Sequence, residues 1–149
     1  MNKKIKVVVD ANIFINSWFY TNHFYCDAVV DLINNDKIQL LFSQDTIGEL
    51  MYVVKKIVLD LFDEKELQIE YLNNLSYIFL DAISVNTLGV KCPKINDKFD
   101  EMFLKTAIRG NADYIISDDF RSGMHSVKID GTKIVGSEQF VSMYERLCV

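Results

Sequence analysis

The chain has 149 residues, enough for one domain with a single core and short for two of ordinary size. Half of its residues are hydrophobic and 25% are charged, which excludes a disordered chain. A formal net charge of −5 argues against a module that grips duplex nucleic acid by a broad basic surface, while clustered carboxylates whose charge a bound cation cancels remain compatible with it.

One Pro and six Gly leave no linker-like stretch, so a single domain over residues 1–149 is expected. Lysines at positions 3, 4 and 6 open the chain, but the apolar run behind them ends at Asp10, too soon for a secretory segment. No stretch approaches the roughly 18 apolar residues of a membrane span, so no membrane partner is expected. Cys26, Cys92 and Cys148 are odd in number and far apart, with no CxxC pair, and they suggest neither a zinc knuckle nor a disulfide framework. A reducing cytoplasm is the expected compartment.

In chain order, residues 5–9 form a β-branched run that reads as a buried strand, ended by Asp10-Ala11-Asn12. Residues 24–34 carry helical spacing at Ala28, Val29, Leu32 and Ile33. Residues 38–42 read as a second strand. Ser43 is placed to cap a helix from Gln44 whose apolar stripe runs through Ile47, Leu50, Met51, Val54, Val58 and Leu61. A helix over 64–78 and a strand over 82–85 follow. Residues 98–109 read as a helix with Phe103, Leu104, Ala107 and Ile108 inward and Gly110 as its terminating C′ residue. Strands over 113–117 and 133–135 and a helix opening at Ser137 complete the chain. Strands alternating with helices predict an α/β fold with a mostly parallel, five-stranded sheet.

In such sheets ligands bind beyond the carboxyl ends of the strands. Asp10 directly follows the first strand, and Asp119 lies two residues after Ser117 at the end of the fourth. Asp100 sits in the first turn of the preceding helix, in register with Phe103, Leu104 and Ala107, where the helix dipole favours a carboxylate. Taken alone, each acid is an ordinary turn, cap or loop residue. Their joint placement around one sheet edge points to a hard divalent cation relieving mutual repulsion. Glu49 stands apart from this pattern: it points roughly 140° from the centre of its helix's apolar stripe, which reads as solvated surface.

The segments VVVDANIFI, SQDTIGELMYVV, FDEMFLKTAIRGNADYIISDD and KIVGSEQFV together resemble the PIN-domain family, particularly its VapC-like toxin ribonucleases, over about residues 5–143. The resemblance assigns Asp10, Glu49, Asp100 and Asp119 to the family's four acidic places, and Asn12 and Ser117 to the polar places that orient the first carboxylate. It implies a three-layer α/β/α sandwich, Mg²⁺ or Mn²⁺, cleavage of single-stranded RNA, and often a homodimer with a cognate antitoxin. On this reading Asp10 and Asp119 bind metal directly, Asp100 directly or through water, Glu49 holds a water or a second metal, and Ser117 hydrogen-bonds a carboxylate. Many relatives carry a further Asp where this chain has Arg121, so a five-acid site is in doubt and a phosphate contact is the functional reading of the arginine.

Two adjacent acids follow Ser117, and the family places its ligand two residues after the Ser/Thr, which selects Asp119 over Asp118. Alternation of side chains along extended backbone puts Ser117 and Asp119 on one side. A haloacid-dehalogenase-type phosphatase needs Asp-x-Asp after the first strand, and Asn12 stands in the second place. The remaining alternative is a catalytically silent PIN fold that binds RNA or protein. Trp18, Phe19, Tyr20, Phe24 and Tyr25 read as core or interface packing, and His23 and His125 as surface or loop histidines with no metal-motif spacing.

Overall fold

The computed structural model describes residues 3–148. Five strands form one sheet: β1 (Lys6–Val9), β2 (Gln39–Phe42), β3 (Ile83–Ser84), β4 (Tyr114–Ile116) and β5 (Lys133–Val135). Their order is β3-β2-β1-β4-β5 and every pairing is parallel. Among the described residues, six α-helices connect and cover them: α1 (Ala11–Phe19), α2 (Phe24–Asn34), α3 (Gln44–Leu61), α4 (Lys65–Tyr77), α5 (Glu101–Gly110) and α6 (Ser137–Leu147). This is the α/β fold with a five-stranded parallel sheet expected from the alternating elements, in the sandwich that the family resemblance implies.

Alternation along the strands divides the core in two. Val7, Val9, Leu40, Ile116 and Val135 pack with α1, α2, α3 and α6 on one face. Val8, Leu41 and Ile115 pack with Phe103, Leu104 and Ala107 of α5 on the other. The near-continuous β-branched runs of β1 and β4 follow from burial on both faces.

Three local readings of the sequence are corrected. Asp10-Ala11-Asn12 does more than end a strand: α1 starts at once, with Asp10 as its N-cap. The run Ile13-Phe14-Ile15 is buried throughout, and it hid the helical period because three successive apolar residues show none. Gly110 is the last residue of α5 and not its C′ residue. Asn111 takes the left-handed conformation instead, at φ 51° and ψ 52°. Gly110 is needed for another reason, since a Cβ there would stand 2.5 Å from Leu41 Cδ1. Finally, Met51 and Leu61, taken as part of the buried stripe of α3, are 52% and 54% exposed, whereas Val53 and Ile57 pack on the core.

The chain runs from β1 outward through β2 to β3, then returns to β4 and β5 on the other side of β1. The order therefore reverses between β1 and β4, and at such a switch point the connections leaving adjacent strands diverge and open a crevice at their carboxyl ends.

Candidate metal centre

Asp10 is the first residue beyond β1, and its backbone N–H still reaches Ile116 O of β4 at 3.0 Å. The residue is 7% exposed. Ser117 Oγ donates to Asp10 Oδ2 at 2.8 Å, and the backbone N–H of Asn12 approaches Oδ1 at 3.4 Å. Burial pushes the Asp10 carboxyl above its ordinary pKa; the Ser117 and Asn12 hydrogen bonds pull it back, and repulsion from Asp119 and Asp118 adds to the rise. Asn12 thus bears on this carboxylate through its main chain, while the residue itself is exposed.

Ser117 is fully buried at the end of β4, its N–H bonded to Val135 O at 2.9 Å. Its hydroxyl also accepts the backbone N–H of Asp119 at 3.2 Å, which turns the chain. Asp119 Oδ1 then accepts the backbone N–H of Arg121 at 3.1 Å. The Arg121 residue is exposed. Asp118 faces α6: its Oδ1 accepts the Ser137 backbone N–H and its Oδ2 the Ser137 hydroxyl, both at 2.7 Å. It thereby caps a helix whose own N-cap, Gly136, has no side chain to offer.

Asp100 closes a single 3-10 turn, Lys98–Asp100, and forms the N-cap of α5. Burial raises its pKa to about 6, opposed by a hydrogen bond from Ser122 and reinforced by Asp97, Asp10 and Asp119. Glu49 lies in the second turn of α3. Burial raises it to about 7, and repulsion from Asp10, Asp100 and Asp97 adds to the shift. Because Thr46, Val53 and Ile57 turn toward the interior, the buried face of α3 is rotated toward Glu49, which stands roughly 100° from its centre. The start of α3 is tied to the middle of α5 by buried hydroxyls: Ser43 Oγ and Thr106 Oγ1 are hydrogen-bonded at 2.8 Å, Thr106 Oγ1 donates to Met102 O at 2.7 Å, and the Ser43 N–H donates to Thr46 Oγ1 at 2.9 Å. Ser43 caps α3 as the sequence indicates.

Asp10, Glu49, Asp100 and Asp119 thus approach one edge from four separate segments: the charge of Asp119 raises the pKa of Asp10 and Asp100, and that of Asp10 raises Glu49 and Asp100. Among the described residues, no three Asp, Glu, His or Cys side chains form a ready-made ion-binding group. Two carboxylate oxygens of the set, Glu49 Oε2 and Asp100 Oδ2, are buried without any hydrogen-bond partner. Orphaned buried carboxylate oxygens are costly, and an oxygen-seeking divalent cation would satisfy them. The donor set fits such an ion.

Sequence reasoning missed three contributors. Asp97 adds charge to Glu49 and Asp100, Ser122 favours the charged form of Asp100, and His125 Nε2 stands 2.8 Å from Ser117 O. Asp97 and Ser122 lie in aperiodic segments and His125 in a single 3-10 turn, Met124–Ser126, and only their nearness in sequence to Asp100 and Asp119 could have signalled them.

A protein-family model described as PIN domain matches residues 6–121. Seven chains of solved structures match. One is the crystal structure of VapBC2 from Rickettsia felis bound to a DNA fragment from their promoter. It is 16% identical, with 89% of this chain and 98% of that chain covered at a TM-score of 0.57. At that identity the likeness bears on the fold alone. No curated protein matches the sequence.

Proposed function

The chain belongs to the PIN-domain family, and from that premise we propose that it is a divalent-metal-dependent ribonuclease with Asp10, Glu49, Asp100 and Asp119 as its acidic site. The observation that carries this reading is the pair of orphaned, buried carboxylate oxygens on Glu49 and Asp100, set among acids that repel one another.

Mg²⁺ or Mn²⁺, when bound, supplies a nucleophile from water near neutral pH and offsets charge on the phosphate. Asp10 and Asp119 would hold it directly. Each is already fixed, Asp10 by Ser117 and Asp119 by the backbone of Arg121. Asp100 would present its free oxygen from the start of α5, directly or through water. Glu49, at about 7, can both orient a water and take up its proton. The exposed Arg121 stands two residues from Asp119, where a guanidinium can meet a phosphate of the substrate. Single-stranded RNA is the proposed substrate because an acidic chain has no broad cationic surface for a duplex.

The resemblance to VapC toxins extends the proposal to a cognate antitoxin as partner and to a homodimer. No described helix is long and apolar enough to cross a membrane.

The test is a metal titration. Calorimetry should detect Mn²⁺ binding to the wild type and a large loss of it in Asp10→Asn. Cleavage of single-stranded RNA should require Mg²⁺ or Mn²⁺ and stop with chelator. Full cleavage in EDTA by a preparation free of contaminating nuclease, or undiminished Mn²⁺ binding by Asp10→Asn, would sink the reading.

A further inference from the structure

We propose that Phe120 is a stacking platform for a base of the substrate, held at a fixed offset from the acidic site by His125. The proposal rests on the reading above that the substrate is single-stranded RNA. Phe120 immediately follows Asp119 and is 66% exposed. A single exposed phenylalanine is unremarkable in itself. What distinguishes this one is that its ring is supported from beneath. It stacks on the His125 imidazole, with centroids 4.4 Å apart and planes 29° from parallel.

The support is itself anchored. His125 Nε2 lies 2.8 Å from Ser117 O. A carbonyl only accepts, so Nε2 carries the hydrogen and the imidazole donates it. Ser117 is the residue whose hydroxyl holds Asp10. Two contacts therefore connect the Phe120 ring to the residue that orients a site carboxylate. Gly136 leaves room for the ring's edge: a Cβ there would stand 2.8 Å from Phe120 Cζ. An aromatic ring with a fixed base, a fitted edge and an open face matches what a nucleobase needs for stacking, and stacking tolerates any base because every base has a π-face.

The surroundings favour a nucleic-acid strand as the occupant. Phe120 lines one end of a groove of about 940 Å³ beside α2 and α6, and Lys133 at the start of β5 and Arg146 in the last turn of α6 lie toward its other end, where a strand leaving the stacked base can meet them with its phosphates. Of the two acids there, Asp118 is engaged by Ser137, and Glu138 lies in the first turn of α6. The exposed Arg121 adds a cation on the side of the acidic site.

The experiment is a fluorescence titration of a single-stranded RNA oligonucleotide carrying 2-aminopurine with the full chain, in chelator so that metal-dependent turnover does not intrude. Stacking quenches that base. Wild type, Phe120→Trp and Phe120→Tyr should quench it and bind alike. Phe120→Ala and Phe120→Leu should lose the quench and weaken binding by about 5- to 150-fold, with circular dichroism unchanged. Leucine keeps apolar bulk without a π-face, so wild-type binding by Phe120→Leu would overturn the proposal. So would an unquenched base with the wild-type protein. A wild type that quenches the base yet cleaves no RNA in Mg²⁺ would sink the nuclease reading and leave the platform standing.

Discussion

Ser117 Oγ donates to Asp10 Oδ2 at 2.8 Å, and this bond joins two strand ends that lie 107 residues apart in the sequence. The same hydroxyl accepts the Asp119 N–H, so one small side chain fixes one acid and turns the backbone that carries the next.

Ser117→Ala should therefore act on the site more than on the fold. Asp10 would lose the hydrogen bond that most favours its charged form, and its already raised pKa should climb further. Cleavage should fall about 10- to 100-fold, as for loss of a residue that orients a metal ligand. Ser117→Thr should retain most of the activity because it keeps the hydroxyl. A carboxyl-carbon NMR titration of Asp10 and cleavage rates for both variants check this; an unchanged Asp10 titration in Ser117→Ala would contradict it.

The raised carboxyls give a pH signature with a definite sign. Glu49 and Asp100 titrate in the fold at about 7 and about 6, above their ordinary values of 4.5 and 3.8. Between those limits the folded state binds more protons than the unfolded one, so their contribution to stability is complete below about pH 4 and is lost as pH rises through 6 to 7. Metal-free wild type should lose stability over that window, and Glu49→Gln, which cannot ionise, should lose less. Metal binding has the opposite slope, because ligands must shed protons first. Mn²⁺ should then raise the melting temperature strongly at pH 8 and little at pH 5. Thermal melts with chelator and with Mn²⁺ at both pH values measure each part, and equal Mn²⁺ stabilisation at pH 5 and pH 8 would count against these acids as the metal site.

The inner strands β1, β2 and β4 were legible because they are buried on both faces and read as short apolar runs between helical patterns. The helix α1 was not, because Asp10 ends a strand and caps a helix in the same position. Asp10, Asp100 and Asp119 could be reached from placement alone, since a parallel sheet opens its crevice where those residues must lie. Glu49 could not. The exposed Met51 and Leu61 pulled the inferred apolar stripe away from it, and only the family resemblance put it at the site. Asp97, Ser122 and His125 act through loop geometry that no periodicity encodes. The aromatic segment divides: Trp18, Phe19 and Tyr25 pack on the core as expected, while Tyr20 and Phe24 are 52% and 70% exposed.

That exposed pair bears on association. Tyr20 ends α1 and Phe24 begins α2, so the two rings flank one short connection. A homodimer through these early helices is the expected state, with Tyr20→Glu shifting it toward monomer because a charge there would be buried unpaired. Light scattering at high concentration decides: a clean monomer mass for the wild type would refute the dimer.

The adjacent acids Asp118 and Asp119 offer the sharpest division of labour. The sequence argument separated them by strand alternation, on the condition that the backbone stays extended beyond Ser117. The chain in fact turns there, through the Ser117 hydroxyl and then the Asp119 carboxylate. The two side chains nevertheless part company. Asp118 spends both oxygens on Ser137 and the start of α6. Asp119 adds to the repulsion felt by both Asp10 and Asp100. Asp119→Asn should accordingly lower metal-dependent cleavage by orders of magnitude while leaving the melting temperature unchanged or higher, since it removes a repelling charge. Asp118→Asn should do the reverse, changing cleavage several-fold at most and costing about 0.5–2 kcal/mol of stability through the weakened cap. Cleavage rates and denaturant melts on the two variants separate the roles. Wild-type cleavage by Asp119→Asn together with loss in Asp118→Asn would move the metal ligand one residue toward the strand.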